Sequence, residues 1–88
     1  MSIIVVGLSH RTAPIEVREK LNFPEATIPD ALKKLVNYEG IREGLILSTC
    51  NRVEIYASVQ DSIAGIERIK QFISDYHGLS REVLDQSL

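Results

Sequence analysis

The sequence predicts an α+β domain of ferredoxin-like βαββαβ order: an antiparallel sheet with its helices on one face, and a last strand truncated at the end of the chain. Three observations predict it. Residues 3–8, 44–48 and 52–59 read as strands, and the segments after Thr27 and after Asp61 repeat apolar residues at helical spacing. A short helix-compatible stretch follows the first run. An 88-residue chain supports one compact core and no second domain.

Residues 3–8, Ile-Ile-Val-Val-Gly-Leu, are almost wholly apolar and rich in β-branched side chains. That is the pattern of a strand covered on both faces or lying centrally in a sheet. Pro14 suits a first helical position, and Glu16 and Glu19 complement the start of a helix, so a short helix is expected over residues 14–21, ended by Asn22-Phe23-Pro24. Thr27 is placed as an N-cap with Asp30 three residues on. Ile28, Ala31, Leu32, Leu35 and Val36 then recur at helical spacing up to Gly40.

Residues 44–48 carry Leu45-Ile46-Leu47 as a buried strand. Residues 52–59 alternate, with Val53, Ile55, Ala57 and Val59 on one face and Arg52, Glu54, Tyr56 and Ser58 on the other. The tract Thr49-Cys50-Asn51 between them reads as a tight antiparallel connection in which Asn51 tolerates left-handed geometry. Asp61 or Ser62 caps a third helix whose apolar face is Ile63, Ile66, Ile69, Phe72, Ile73 and Tyr76, with Gly78 placed to end it. Residues 80–88 read as a further helical turn leading to the sixth element. In the ferredoxin-like order the first and third strands are neighbours, so Ser9-His10-Arg11 falls beside Cys50 and Arg52.

Ten Lys and Arg against twelve Asp and Glu give a formal charge of -2, which offers no general attraction to a phosphate backbone. No apolar run approaches membrane-spanning length, and the opening residues lack a basic flank, so neither signal peptide nor anchor is expected. The expected compartment is the cytoplasm. The single Cys can form no internal disulfide and cannot alone fill a zinc site, so no metal is expected.

Cys50 is therefore inert, reactive or intermolecular. A lone Cys beside an apolar strand is commonly a small buried hydrophobe. Its place in a turn makes the sulfur reachable, and Arg52 nearby favours the thiolate. On the residues alone the two readings are evenly matched. His10 taken alone reads as a surface or satisfied histidine, yet Ser9 and His10 follow a buried strand, where a sheet's end presents side chains to a ligand, and are candidates for lining the same site. His77 lies in the last turn of the third helix, where positive charge complements the dipole. Two other readings share the fold order. One is a small ligand-binding or regulatory module with an inert Cys. The other is an RNA-binding domain, which would need exposed aromatics clustered on the third strand.

Two tracts go further. Gly7-Leu8-Ser9-His10-Arg11-Thr12-Ala13-Pro14 with Val17-Arg18-Glu19-Lys20-Leu21, and Leu47-Ser48-Thr49-Cys50-Asn51-Arg52-Val53-Glu54-Ile55-Tyr56, closely resemble the opening of the glutamyl-tRNA reductase family. The resemblance covers both long words in the family's order. It implies the amino-terminal part, residues 1–88, of the catalytic, glutamate-recognising domain of an enzyme that reduces glutamyl-tRNA to glutamate-1-semialdehyde with NADPH, the first step of tetrapyrrole (porphyrin) biosynthesis. It implies Cys50 as the nucleophile that forms a thioester, and Thr49, Cys50, Asn51 and Arg52 as the substrate-contacting tract. Arg52 is suited to a bidentate grip on a carboxylate, and Thr49 and Asn51 to hydrogen bonds.

The resemblance also implies a homodimer, and hand-over of the product to the aminomutase that consumes it. The sequence holds no Gly-x-Gly-x-x-Gly tract. The NADPH-binding and dimerisation domains of the family are therefore expected outside this chain, and the chain alone is expected to lack reductase turnover. The family's catalytic-domain histidine lies further along, so its role does not pass to His10.

Overall fold

The computed structural model describes residues 2–9, 15–49 and 51–86. β1 (Ser2–Ser9), α1 (Ile15–Leu21), a 3-10 turn (Glu25–Thr27), α2 (Ile28–Leu35), β2 (Ile41–Ser48), β3 (Arg52–Val59), α3 (Ser62–His77) and α4 (Arg81–Asp85) follow in order. The alternating run becomes the middle of the sheet. β3 pairs antiparallel with β1 on one side and β2 on the other, in the order β1-β3-β2. This is the βαββα part of the ferredoxin-like pattern, with the helices on one face.

Alternation decides which face is buried. Val53, Ile55, Ala57 and Val59 all point to the helical side, joined there by Val6, Leu8 and Ile46. Leu21 of α1, Ala31 and Leu35 of α2, and Ile69, Phe72 and Ile73 of α3 close the core over them. Phe23, just after α1, stacks parallel on Phe72 with centroids 6.1 Å apart, and Tyr76 lies 5.2 Å away, which holds the chain after α1 against α3. α3 begins where the sequence places it: the Asp61 side chain accepts from Ala64 N at 2.8 Å. It ends on Gly78 in the left-handed conformation, φ 67°. α4, capped by Ser80 and anchored by buried Leu84, lies on α3, where Arg81 meets Glu67 at 2.8 Å.

Several expectations are corrected. β1 is neither central nor covered on both faces: it is an edge strand, and Ile3 and Val5 are exposed. Of Leu45-Ile46-Leu47 only Ile46 is buried, since a period of two sends its neighbours to the other face. β2 starts at Ile41, because an irregularity between Ile41 and Glu43 lets Ile41 pair with Val59 and enter the core. α2 stops at Leu35 and does not reach Gly40. Asn37 N and Tyr38 N bond to Lys34 O and Leu35 O at 3.2 and 3.1 Å, tightening the chain into turns that end at Gly40 with φ 83°.

Thr27 stands at the N-cap position of α2, as expected, but makes no side-chain capping bond. It is itself helical, and its hydroxyl donates to Pro24 O at 2.7 Å. Ile63 is exposed at the first turn of α3, short of the sheet. His77 does lie in the last turn of α3, half-buried against the rings of Phe23 and Tyr76, where desolvation lowers its pKa and so works against the positive charge that the helix dipole favours. Pro14 and residues 87–88, which begin the first expected helix and end the last, lie outside the described residues. Among the described residues no helix is long and apolar enough to cross a membrane.

Candidate active site

The expected meeting of two distant tracts rests on register. Ser9, the last residue of β1, stands opposite Arg52, the first of β3. Behind them Gly7 faces Glu54, and Val5 faces Tyr56. A Cβ on Gly7 would lie 2.5 Å from Val53 O and 3.1 Å from the Glu54 Cα, so only glycine lets the strands approach this closely here. On the outer face of β3, Arg52, Glu54 and Tyr56 follow one another at alternate positions. The Tyr56 hydroxyl donates to Glu54 Oε1 at 3.0 Å, and that bond holds the phenol above its usual pKa.

The connection between β2 and β3 is closed by Thr49. Its backbone N–H donates to Arg52 O at 2.8 Å, and its Oγ1 accepts from both Asn51 N and Arg52 N at 3.2 Å. One hydroxyl thus accepts from two successive amides where the connection enters β3. Asn51 is not left-handed: among the described residues no non-glycine has a positive φ, because the Thr49 hydroxyl does the work of the turn. Asn51 and Arg52 are exposed at its end. Cys50 and His10 lie outside the described residues.

A second anchor precedes the turn. Ser48 Oγ accepts from Phe23 N at 3.0 Å and donates to Asn22 Oδ1 at 2.7 Å. The end of β2 is thereby tied to the residues that follow α1, themselves fixed by the Phe23 stack on α3. A cavity of about 450 Å³ opens beside this tie, lined among others by Arg18, Asn22, Phe23, Ser48 and Thr49. Sequence reasoning missed Asn22 and Ser48 as parts of the site. Asn22 registered only as a helix terminator, and no local spacing signals a bond spanning 26 residues.

The profile described as "Glutamyl-tRNAGlu reductase, N-terminal domain" matches residues 6–88. The chain belongs to this family. It is similar along its whole length to proteins named glutamyl-tRNA reductase: 52% identical over 88 residues to that of Trichlorobacter lovleyi. It is likewise 57% identical to that of Prochlorococcus marinus strain MIT 9515 and 49% to that of Geobacter metallireducens. In each case the match takes in 100% of this chain and 20% of the relative, so the chain spans about a fifth of the glutamyl-tRNA reductases it resembles. The glutamyl-tRNA reductase family is one of oxidoreductases at the first step of tetrapyrrole biosynthesis, and the fold of its amino-terminal domain is what the sheet and helices above describe.

Proposed function

We propose that this chain is the acyl-accepting part of a glutamyl-tRNA reductase catalytic domain, with Cys50 as nucleophile and Thr49, Asn51 and Arg52 as the residues that grip the glutamyl group. The observation that carries the reading is the doubly bonded Thr49 hydroxyl, which stiffens the connection on both sides of position 50 beside the Ser9–Arg52 pair. Fixing the residues that flank a nucleophile favours its alignment, since a misplacement of about 1 Å costs roughly 100-fold in rate.

In the proposed reaction the Cys50 thiolate attacks the ester carbonyl that joins glutamate to the terminal ribose of the tRNA. A C–S bond forms, the C–O bond breaks, and the ribose oxygen leaves and takes up from solvent the proton that the thiol released on ionising, giving a glutamyl thioester. Arg52 is suited to hold the glutamyl carboxylate by two parallel hydrogen bonds and to favour the thiolate electrostatically. Ser9 and His10 are proposed to line the same site from the end of β1.

The residues present do not fit a dinucleotide. The sheet is antiparallel, whereas the pyrophosphate cradle needs a parallel βαβ unit opening on a Gly-rich turn. NADPH, which supplies the hydride that takes the thioester to the aldehyde, is therefore assigned to the part of the polypeptide beyond this chain, as is the dimer interface. Cytoplasmic location and delivery of the aldehyde to an aminomutase belong to the same reading.

The test uses the full-length polypeptide and glutamyl-tRNA charged with labelled glutamate. In the absence of NADPH, label should become bound to the protein through a hydroxylamine-sensitive link and vanish in a Cys50→Ser variant. Label retained by that variant would remove Cys50 from the chemistry and favour a ligand-binding module with an inert thiol.

A further inference from the structure

The face of the sheet turned away from the helices is apolar where it has no reason to be. Ile3 is 79% exposed, Val5 53%, Leu45 59% and Leu47 39%. These are not scattered singletons. Val5 pairs with Tyr56, and Tyr56 pairs with Leu45, so one row crosses all three strands, with Ile3 and Leu47 flanking it diagonally. Every helix packs on the opposite face, where the buried side chains of all three strands point. An apolar patch running across a whole sheet marks a contact surface, because a sheet that is apolar on both faces needs a layer on each.

We infer that this face is a docking surface for the downstream four-fifths of the same polypeptide. The occupant is fixed by tethering. Relatives that align with this whole chain use only 20% of their length to do so. In those relatives the remainder is covalently attached, and a tethered partner meets the face at a far higher effective concentration than a free one. A second copy must find the face from dilute solution. The patch stops short of the site: on the same face, beyond Tyr56 and Glu54, Arg52 and Ser9 are polar. A layer seated on Val5, Tyr56 and Leu45 therefore leaves Arg52 reachable and adds a wall next to it. The occupant's chemistry follows: an apolar surface over the middle row, giving way to polar groups at the end nearest Arg52. This inference rests on family membership and on the sheet, and stands whether or not Cys50 is the nucleophile.

Hydroxyl-radical footprinting of the full-length protein and of the 88-residue chain reads it directly. Side chains of Ile3, Val5 and Leu45 should be oxidised at least about fivefold more slowly in the full-length protein, while exposed Ile63 and Val83 on the helical side serve as controls. Equal rates in the two forms overturn the inference. A protection that appears in the short chain alone and grows with its concentration overturns it in favour of a second copy. As a second arm, Leu45→Lys should lower the melting temperature of the full-length protein and leave that of the short chain unchanged. Unchanged melting in both counts against the inference, and if the variant does not fold in full length, the footprint of the unaltered sequence still decides.

Discussion

Arg52 stands at the open end of β3, exposed and opposite Ser9, with its own backbone locked at both N–H and C=O by Thr49. A side chain so placed is free to turn toward a ligand while its Cα cannot drift. If it grips the glutamyl carboxylate through the planar fork, Arg52→Lys keeps the charge but loses one of two charge-assisted hydrogen bonds, worth about 1.5 kcal/mol. The full-length enzyme should then show a KM for glutamyl-tRNA raised roughly tenfold with kcat little altered. Steady-state kinetics check this, and an unchanged KM would take Arg52 out of recognition. Because Lys at an exposed strand end disturbs no packing, a loss of folding is not the expected result.

At the scale of elements, the close β1–β3 crossing at Gly7 makes a sharp test. By propensity alone Gly7→Ala should stabilise a strand by about 0.5–1 kcal/mol. The added methyl would however lie 2.5 Å from Val53 O, a backbone atom that cannot step aside without breaking the ladder. Overpacking of this kind costs about 1–3 kcal/mol, so the sterics win. The expected outcome is a lowered melting temperature, by about 4–8 °C for each net kcal/mol lost, measured by circular dichroism; a rise would mean that the strands separate easily.

The elements also show what the sequence could and could not disclose. Residues 52–59 were legible to the residue, because alternation states both the strand and its buried face. The unbroken apolar runs at Ile3 to Leu8 and Leu45 to Leu47 were legible as strands but not by burial, since a run without polar punctuation hides which neighbours face the core. α2 ended early because turn bonds at Asn37 and Tyr38 compete with a helical pattern that continues. In the candidate site, the nearness of Ser9 to Arg52 followed from strand order, while the Asn22–Ser48 tie depends on tertiary placement and left no mark in either segment.

For the molecule as a whole, the half-buried imidazole of His77 couples stability to pH. Desolvation among Phe23 and Tyr76 lowers its pKa below the ordinary 6.5, so the unfolded chain binds a proton more readily than the folded one. The contribution is complete above the unfolded value of about 6.5 and is lost as pH falls through the folded one. Urea midpoints of the chain should be level near neutrality and decline from about pH 6.5 downward, well above the carboxylate range in which Asp75 would lose its bond from Tyr38. A His77→Leu variant should flatten the decline that begins below about pH 6.5. A slope that persists unchanged would assign it to another group.

The β1-β3-β2 order also sets a schedule. β1 is made first, yet the strand that it pairs with, β3, is complete only at Val59, after both α1 and α2 and the whole of β2 have been synthesised. At about 5–20 residues per second the ribosome needs roughly 3–10 s to cover that interval. Throughout it, Ile3 to Leu8 has no ladder to join, and β2 likewise waits for β3. The middle strand therefore acts as a latch that engages both neighbours at once, and the Ser9–Arg52 juxtaposition comes into being only when it closes.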